Sequence, residues 1–488
     1  MTLPTEHSET LFGRTLSNLA GAWRDIAQSA ARTVGRTLRL PNGSDKAALA
    51  ALMRECLEAR GGEVSARMRA AELGETYLEL DAVGRHRFLE VLAEDFAVDG
   101  DRLDEAIETY RQAETAQDRL GAQQRLRRVT LPPRLRLLTQ FNGLPAGVKF
   151  LVDLRADLLA LEDQGPALRD LDHDLRELLT SWFDTGFLDL YQITWGSPAA
   201  LLEKLIAYEA VHQIRSWDDL RRRVQSDRQL FALFHPRMPD EPLAFVEVAL
   251  VKGIARNVQA LLDEQAPSVD PKDADTAIFY SISNTQAGLR GISFGEFLIK
   301  RVVQRLAGEL PRIKTFATLS PVPGFRAWLD RCSLDPVKQC FSEAELGGVR
   351  ALGGSDDPHA ALTAILDRED WPADPVIVKA LAGPMQGLCA RYFLERRDDG
   401  RPIDSVARFH LRNGARLEHI NWLADTSANG LRRSAGLMVN YRYILDDMEK
   451  NHEAYMKDGR VAMSSEVRSL TRALGDGNGR ARRRLRRR

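Results

Sequence analysis

The chain has 488 residues, enough for about two to four domains at roughly 150 residues each. Hydrophobic residues make up 44% and charged residues 28%, ordinary globular proportions that exclude a disordered, collagenous or membrane-embedded chain. Lys plus Arg number 68 against 69 for Asp plus Glu, so no global field recruits nucleic acid. The balance is uneven, however. Arg480 to Arg488 holds seven arginines, and the rest of the chain carries −8; such a run is a solvated terminus or a tail for acidic surfaces.

The first stretch, to about residue 178, reads as helix after helix. Lys46–Arg60 sets Leu49, Leu52, Met53 and Leu57 on one stripe at 3.6-residue spacing. Arg85–Phe96 and Asp101–Ala122 continue the pattern, the Pro132-Pro133 pair breaks it, and Val148–Leu161 and Ala167–Phe183 resume it. An all-helical bundle domain over 1–178 follows, with an amphipathic surface suited to self-association. Residues 179–470 differ in texture. Leu230–Phe234 and Leu243–Val251 are β-type runs joined by a proline-rich turn, which predicts a hairpin. Ala277–Ser283 is a further strand, Phe297–Leu306 a helix and Lys314–Leu319 a short strand. This part is therefore expected to be α/β, making the whole α+β, with residues 471–488 as a basic tail.

Between the Ala277–Ser283 strand and the next helix lies Asn284-Thr285-Gln286-Ala287-Gly288-Leu289-Arg290-Gly291-Ile292-Ser293-Phe294-Gly295. Its three glycines permit tight turns that gather main-chain N–H groups into one concavity. The following helix start adds unpaired amides, which suits phosphate. The spacing is neither the dinucleotide fingerprint nor a P-loop; alone it reads equally as a glycine-rich connection. It resembles the pyrophosphate loop of the N-acetyltransferase fold. Two further segments bear on chemistry. Ser320 lies in Thr318-Leu319-Ser320-Pro321-Val322-Pro323-Gly324-Phe325, where two prolines fix its backbone; a Ser-Pro turn ending a strand is the plain alternative. His410 lies in Phe409-His410-Leu411-Arg412-Asn413-Gly414-Ala415, where a lone imidazole among apolar neighbours is usually a satisfied core residue. The four cysteines, Cys56, Cys332, Cys340 and Cys389, form no CxxC pair, so no zinc ribbon or redox site is indicated. The scattered histidines offer no metal-ligand spacing.

Together, IFYSISNTQAGLRGISFGEFLIKRVV, TLSPVPGF, FHLRNGA and INWLADTSANGLRRSAGLMVNYRY resemble the malonyl-CoA decarboxylase family, as does SWFDTGFLDLYQITWGSPAALLEKL near the domain junction. The resemblance implies a helical oligomerisation domain, giving a dimer or tetramer, and a catalytic domain with an N-acetyltransferase-like fold. It implies a catalytic pair, Ser320 and His410, and a coenzyme A loop of Arg290, Gly291, Ile292, Ser293, Phe294, Gly295 and Glu296, beside Gln286 and Gly288. Tyr443 matches another position of the family's site. An acidic residue found in some members at the position of Ser293 is absent here, so no acid role is assigned there.

The implied reaction converts malonyl-CoA to acetyl-CoA and CO2. Loss of CO2 leaves an electron pair that the thioester carbonyl accepts as an enolate, so no metal or organic cofactor is expected. The protein must supply donors to the enolate oxygen and a proton to the α-carbon. Ser320 and His410 suit these tasks, with Asn413 and Asn421 as candidate orienters of the imidazole. Two other readings stand beside it: a coenzyme A-dependent N-acyltransferase on the same fold, and a non-catalytic acyl-CoA-binding scaffold. The N-terminus is neither a secretory signal nor an organelle leader, so a cytoplasmic, bacterial-type form is expected, with no nucleic-acid partner and no membrane insertion.

Overall fold

The computed structural model describes residues 45–58, 62–292 and 294–473, together with Ala22, Trp23 and Ile26. Ser293, the N-terminal segment judged for targeting signals and the arginine tail lie outside the described residues. Among the described residues from 45 on, eight α-helices come first: α1 (Lys46–Glu58), α2 (Gly62–Glu79), α3 (Ala82–Glu94), α4 (Gly100–Gln112), α5 (Ala116–Val129), α6 (Pro133–Gln140), α7 (Gly147–Ala160) and α8 (Pro166–Trp182). Their starts are written locally. Asp81, Asp99 and Thr115 each cap a helix by accepting a main-chain N–H, and prolines open α6 and α8. The single helix expected over Asp101–Ala122 is two, because Thr115 accepts from Asp118 N–H and starts α5 afresh. Helix α8 runs across the 178/179 division drawn from composition.

The second half is built on an eight-stranded mixed sheet. Its strands are β1 (Asp189–Ile193), β2 (Arg228–Phe234), β3 (Ala244–Val251), β4 (Thr276–Asn284), β5 (Thr315–Thr318), β6 (Ser320–Pro321), β7 (Arg416–Asn421) and β8 (Met438–Tyr443). The order is β1-β2-β3-β4-β5-β8-β6, with β7 also on β8. The expected hairpin is β2 and β3, paired antiparallel; the expected strand-loop-helix-strand unit is β4, a helix α12 (Gly295–Glu309) and β5. The fold class is the expected α+β one, a helical bundle followed by a domain built on a mixed sheet with helices. Between β5 and β7 the chain inserts six α-helices, from Phe325–Arg331 to α18 (Ser405–Arg412), which the apolar patterning does not announce.

Two features of the sheet place the site. Strands β4 and β5 pair in parallel only over Thr276–Phe279 and Thr315–Thr318. Leu319 N–H still reaches the Phe279 carbonyl at 3.0 Å; beyond that β4 runs on to Asn284 without a partner strand on this side among the described residues, while β6 keeps the register of β5 on β8, with Ser320 opposite Val439. The sheet therefore splits just before Ser320. Its two faces also differ. Ala277, Phe279, Val439, Tyr441 and Tyr443 pack into the main core, which is continuous with the helical half, whereas Ile278, Tyr280, Ala317, Leu319 and Met438 pack on the opposite side.

Candidate active site

Ser320 and His410, ninety residues apart in sequence, meet at the split. Ser320 sits at the start of β6, and His410 ends α18, whose first turn Asp404 caps through the Ala407 N–H. The Ser320 Oγ lies 3.1 Å from His410 Nε2 and 2.9 Å from Thr318 Oγ1. On its other edge His410 Nδ1 lies 2.8 Å from the Tyr443 hydroxyl. Thr318 in turn accepts from Tyr441 N–H at 3.1 Å. Thr318, Ser320, His410 and Tyr443 thus form one hydrogen-bonded line. The imidazole is stacked on Tyr441 at 4.5 Å and flanked edge-on by Phe409 at 5.0 Å.

This enclosure sets the electrostatics. His410 is 2% exposed, and burial pushes its pKa down to about 3, since a dry, aromatic-lined site disfavours the imidazolium. Burial likewise raises the Tyr443 phenol well above its ordinary value. At neutral pH the line is a relay of neutral groups, each able to donate on one side and accept on the other.

The loop expected to bind coenzyme A lies next to this line, joined to it by packing. A Cβ on Gly295 would fall 2.4 Å from the Phe409 ring, so the first residue of α12 presses on the neighbour of His410. Among the described residues no side chain caps α12, which leaves its first amides for an outside acceptor. Glu296 pairs with Lys300 at 2.7 Å and is close enough to raise the Tyr443 phenol further. Arg290 and Gly291 are exposed, Ile292 is half-buried and Phe294 is buried. Gly291 alone of the loop glycines has a left-handed backbone, with φ of 88°.

Four expected site residues are engaged by the protein itself. At Gly288 a Cβ would stand 1.7 Å from the Val152 carbonyl oxygen of α7, so this glycine lets the loop dock on the helical half. Arg155 of α7 secures that docking, donating to the carbonyls of Gly288 at 2.7 Å and Arg290 at 2.9 Å. Gln286 is buried and donates to the Pro242 carbonyl at 3.0 Å. Asn421 does not reach the imidazole; it donates to Asn440 Oδ1 at 2.7 Å, and Asn440 holds the Thr318 carbonyl at 2.7 Å. Asn413 bears on the Tyr443 hydroxyl rather than on the ring, and its Nδ2 is buried without a partner among the described residues. The sequence reading missed Thr318, Tyr441 and Asn440. Alternation along β5 and β8 puts Thr318 and Tyr441 on the Ser320 face, and that signal becomes readable only once the strand pairing is known.

Comparison with known proteins bears on the whole chain. Residues 96–183 match the malonyl-CoA decarboxylase N-terminal domain and residues 186–481 the malonyl-CoA decarboxylase C-terminal domain. The mitochondrial malonyl-CoA decarboxylase of Anser anser anser is 38% identical over 423 residues, covering 83% of each chain. That of Rattus norvegicus is 37% identical, covering 80% of this chain and 82% of its own. Among solved structures, malonyl-CoA decarboxylase from Rhodopseudomonas palustris superposes with a TM-score of 0.77 at 44% identity, covering 87% of this chain and 99% of that one. The Agrobacterium vitis enzyme gives 0.76 at 42% identity, covering 86% and 99%. With both domains matched in order and the fold shared nearly end to end, the chain belongs to the malonyl-CoA decarboxylase family of carboxy-lyases.

Proposed function

We propose that this protein decarboxylates malonyl-CoA to acetyl-CoA without a metal or organic cofactor, using Ser320 and His410 on the acyl group. The observation that carries the reading is the neutral Thr318–Ser320–His410–Tyr443 line, buried at the split and packed against the uncapped start of α12. The diphosphate of the substrate would rest on those amides and on the main chain of residues 290–295, with Arg290 supplying positive charge. Its pantetheine arm would run to the split, bringing the thioester to Ser320.

The chemistry follows from the protonation states. When the bond to the carboxylate breaks, its electron pair moves into the thioester as an enolate and CO2 leaves; the bond must stand perpendicular to the thioester plane for that overlap. An imidazolium is disfavoured at this site, so the proton for the α-carbon comes from a neutral donor. Ser320 gives its hydroxyl proton to carbon, His410 Nε2–H restores it, the Tyr443 hydroxyl protonates Nδ1 in the same concerted shift, and a proton from solvent refills the line as product leaves. Main-chain N–H groups near the loop would hold the enolate oxygen. Self-association is assigned to the helical half, where the α4–α5 hairpin leaves Tyr110 and Leu120 exposed.

The test is a coupled assay on purified protein with malonyl-CoA as sole substrate, before and after exhaustive chelation. CO2 and acetyl-CoA should appear in equal amounts at an unchanged rate. Loss of turnover on chelation, restored by a metal, would overturn the cofactor-free reading.

A further inference from the structure

A second polar site lies on the other face of the sheet. A cavity of about 1170 Å³ is walled by the loop after α9 (Ala199–Tyr208), by the end of α11 (Val258–Leu262) and by the segment leading into α19 (Ala428–Ser434). Its wall contains Glu209, His212, Gln259 and Asp425. Glu209 builds the loop: its carboxylate accepts from the N–H groups of Val211 and His212 and from the hydroxyls of Ser281 and Ser283 on β4. His212, 8% exposed, is thereby held against the strand at the split.

Two atoms in this wall have no hydrogen-bond partner among the described residues, His212 Nε2 and Gln259 Oε1. Gln259 donates its Nε2 to Asp425 at 2.9 Å, which fixes the amide so that the acceptor Oε1 is left over. Burial keeps the His212 ring neutral despite Glu209 and Asp425, and a neutral imidazole facing a donor ligand offers it the Nε2 lone pair by keeping its proton on Nδ1. The charges agree. The two arginines of the wall are already engaged, Arg215 with Asp219 and Glu264, Arg223 with Asp219 and Glu247. Asp263 and Asp425 lack an arginine or lysine partner at salt-bridge distance among the described residues. Buried acceptors without partners are costly and are normally satisfied by something bound.

We propose that this cavity binds a small aliphatic amine, whose ammonium donates to His212 Nε2 and Gln259 Oε1 beside the Asp425 carboxylate. A carboxylate or phosphate ligand is disfavoured by the acidic wall, and an apolar one would leave both acceptors unpaired. The site is separate from the Ser320–His410 line, which lies on the opposite face.

The experiment is calorimetric titration of the full chain with 1,4-diaminobutane, and with 1,4-butanediol as an uncharged control of like shape. Saturable binding of one diamine per chain is expected, with none of the diol. Gln259→Leu and Asp425→Asn should each weaken it by roughly tenfold or more, as loss of a charge-assisted bond does. Gln259 is partly exposed, so its variant tests the site even where a change at buried His212 prevents folding. Failure to saturate by about 10 mM, equal binding of the diol, or variants that bind like the parent would each overturn the proposal.

Discussion

The two faces of the split sheet bury polar groups in opposite ways. On the Ser320 face the groups are neutral, stacked on aromatic rings and linked donor to acceptor without any full charge in the line. On the other face, Arg223 is locked between Asp219 at 2.7 Å and Glu247 at 3.0 Å, and Arg222 pairs with Asp227 at 2.7 Å. Burial alone would lower Arg223, but Glu247 and Asp219 hold its pKa above the ordinary value. A proton relay needs groups that can exchange roles, which ion pairs cannot do; a structural wall needs fixed partners, which charge supplies. One sheet thus separates chemistry from scaffolding by face.

The contrast can be attacked from either side. The largest effect should come from Arg223→Met, which leaves Asp219 and Glu247 buried without the guanidinium they share. It should destabilise the protein by about 3–5 kcal/mol, read as a lowered denaturation midpoint. On the neutral face, Ser320→Ala and His410→Asn should each lower kcat by roughly 10²-fold or more, about 3 kcal/mol in the barrier, with little change in unfolding. Near-parental turnover would remove these residues from the chemistry.

Next comes acid sensitivity. The folded pKa of His410 is depressed to about 3 from an unfolded value near 6.5. The unfolded chain therefore binds the extra proton between those values, and stability falls as pH drops through that window. Its share from pH 7 to pH 5 is about 2 kcal/mol, and unfolding curves of His410→Asn should lose that share of the slope. The smallest effect is expected for Tyr443→Phe. Removing the hydroxyl at Nδ1 should slow turnover by roughly tenfold, about 1.4 kcal/mol, with KM unchanged.

What could be read in advance follows the range of the interactions involved. The strands β2, β3 and β4 are apolar runs between turn residues, and their edges came out within a residue or two. The dyad was visible only through motif resemblance, since nothing local joins Ser320 to His410. At Gly288 and Gly295 glycine reads as backbone freedom, yet both also serve close packing, on Val152 and Phe409, partners remote in sequence and invisible to a local reading. Asn421 failed similarly, because β7–β8 pairing turns it toward Asn440. The helices inserted from Phe325 on are mostly short, Pro375–Tyr392 excepted, and their caps Ser342, Asp357 and Asp374 are ordinary N-cap types, a local signal.

The Arg155 contact has a consequence for how the molecule can be divided. The segment expected to grip the coenzyme is fastened by a guanidinium from the helical half, itself anchored to Asp172 at 2.8 Å. Excising the sheet domain as a stand-alone catalyst would leave that grip unbraced. A graft onto another scaffold must carry Gly147–Ala160 along, or supply a substitute strut.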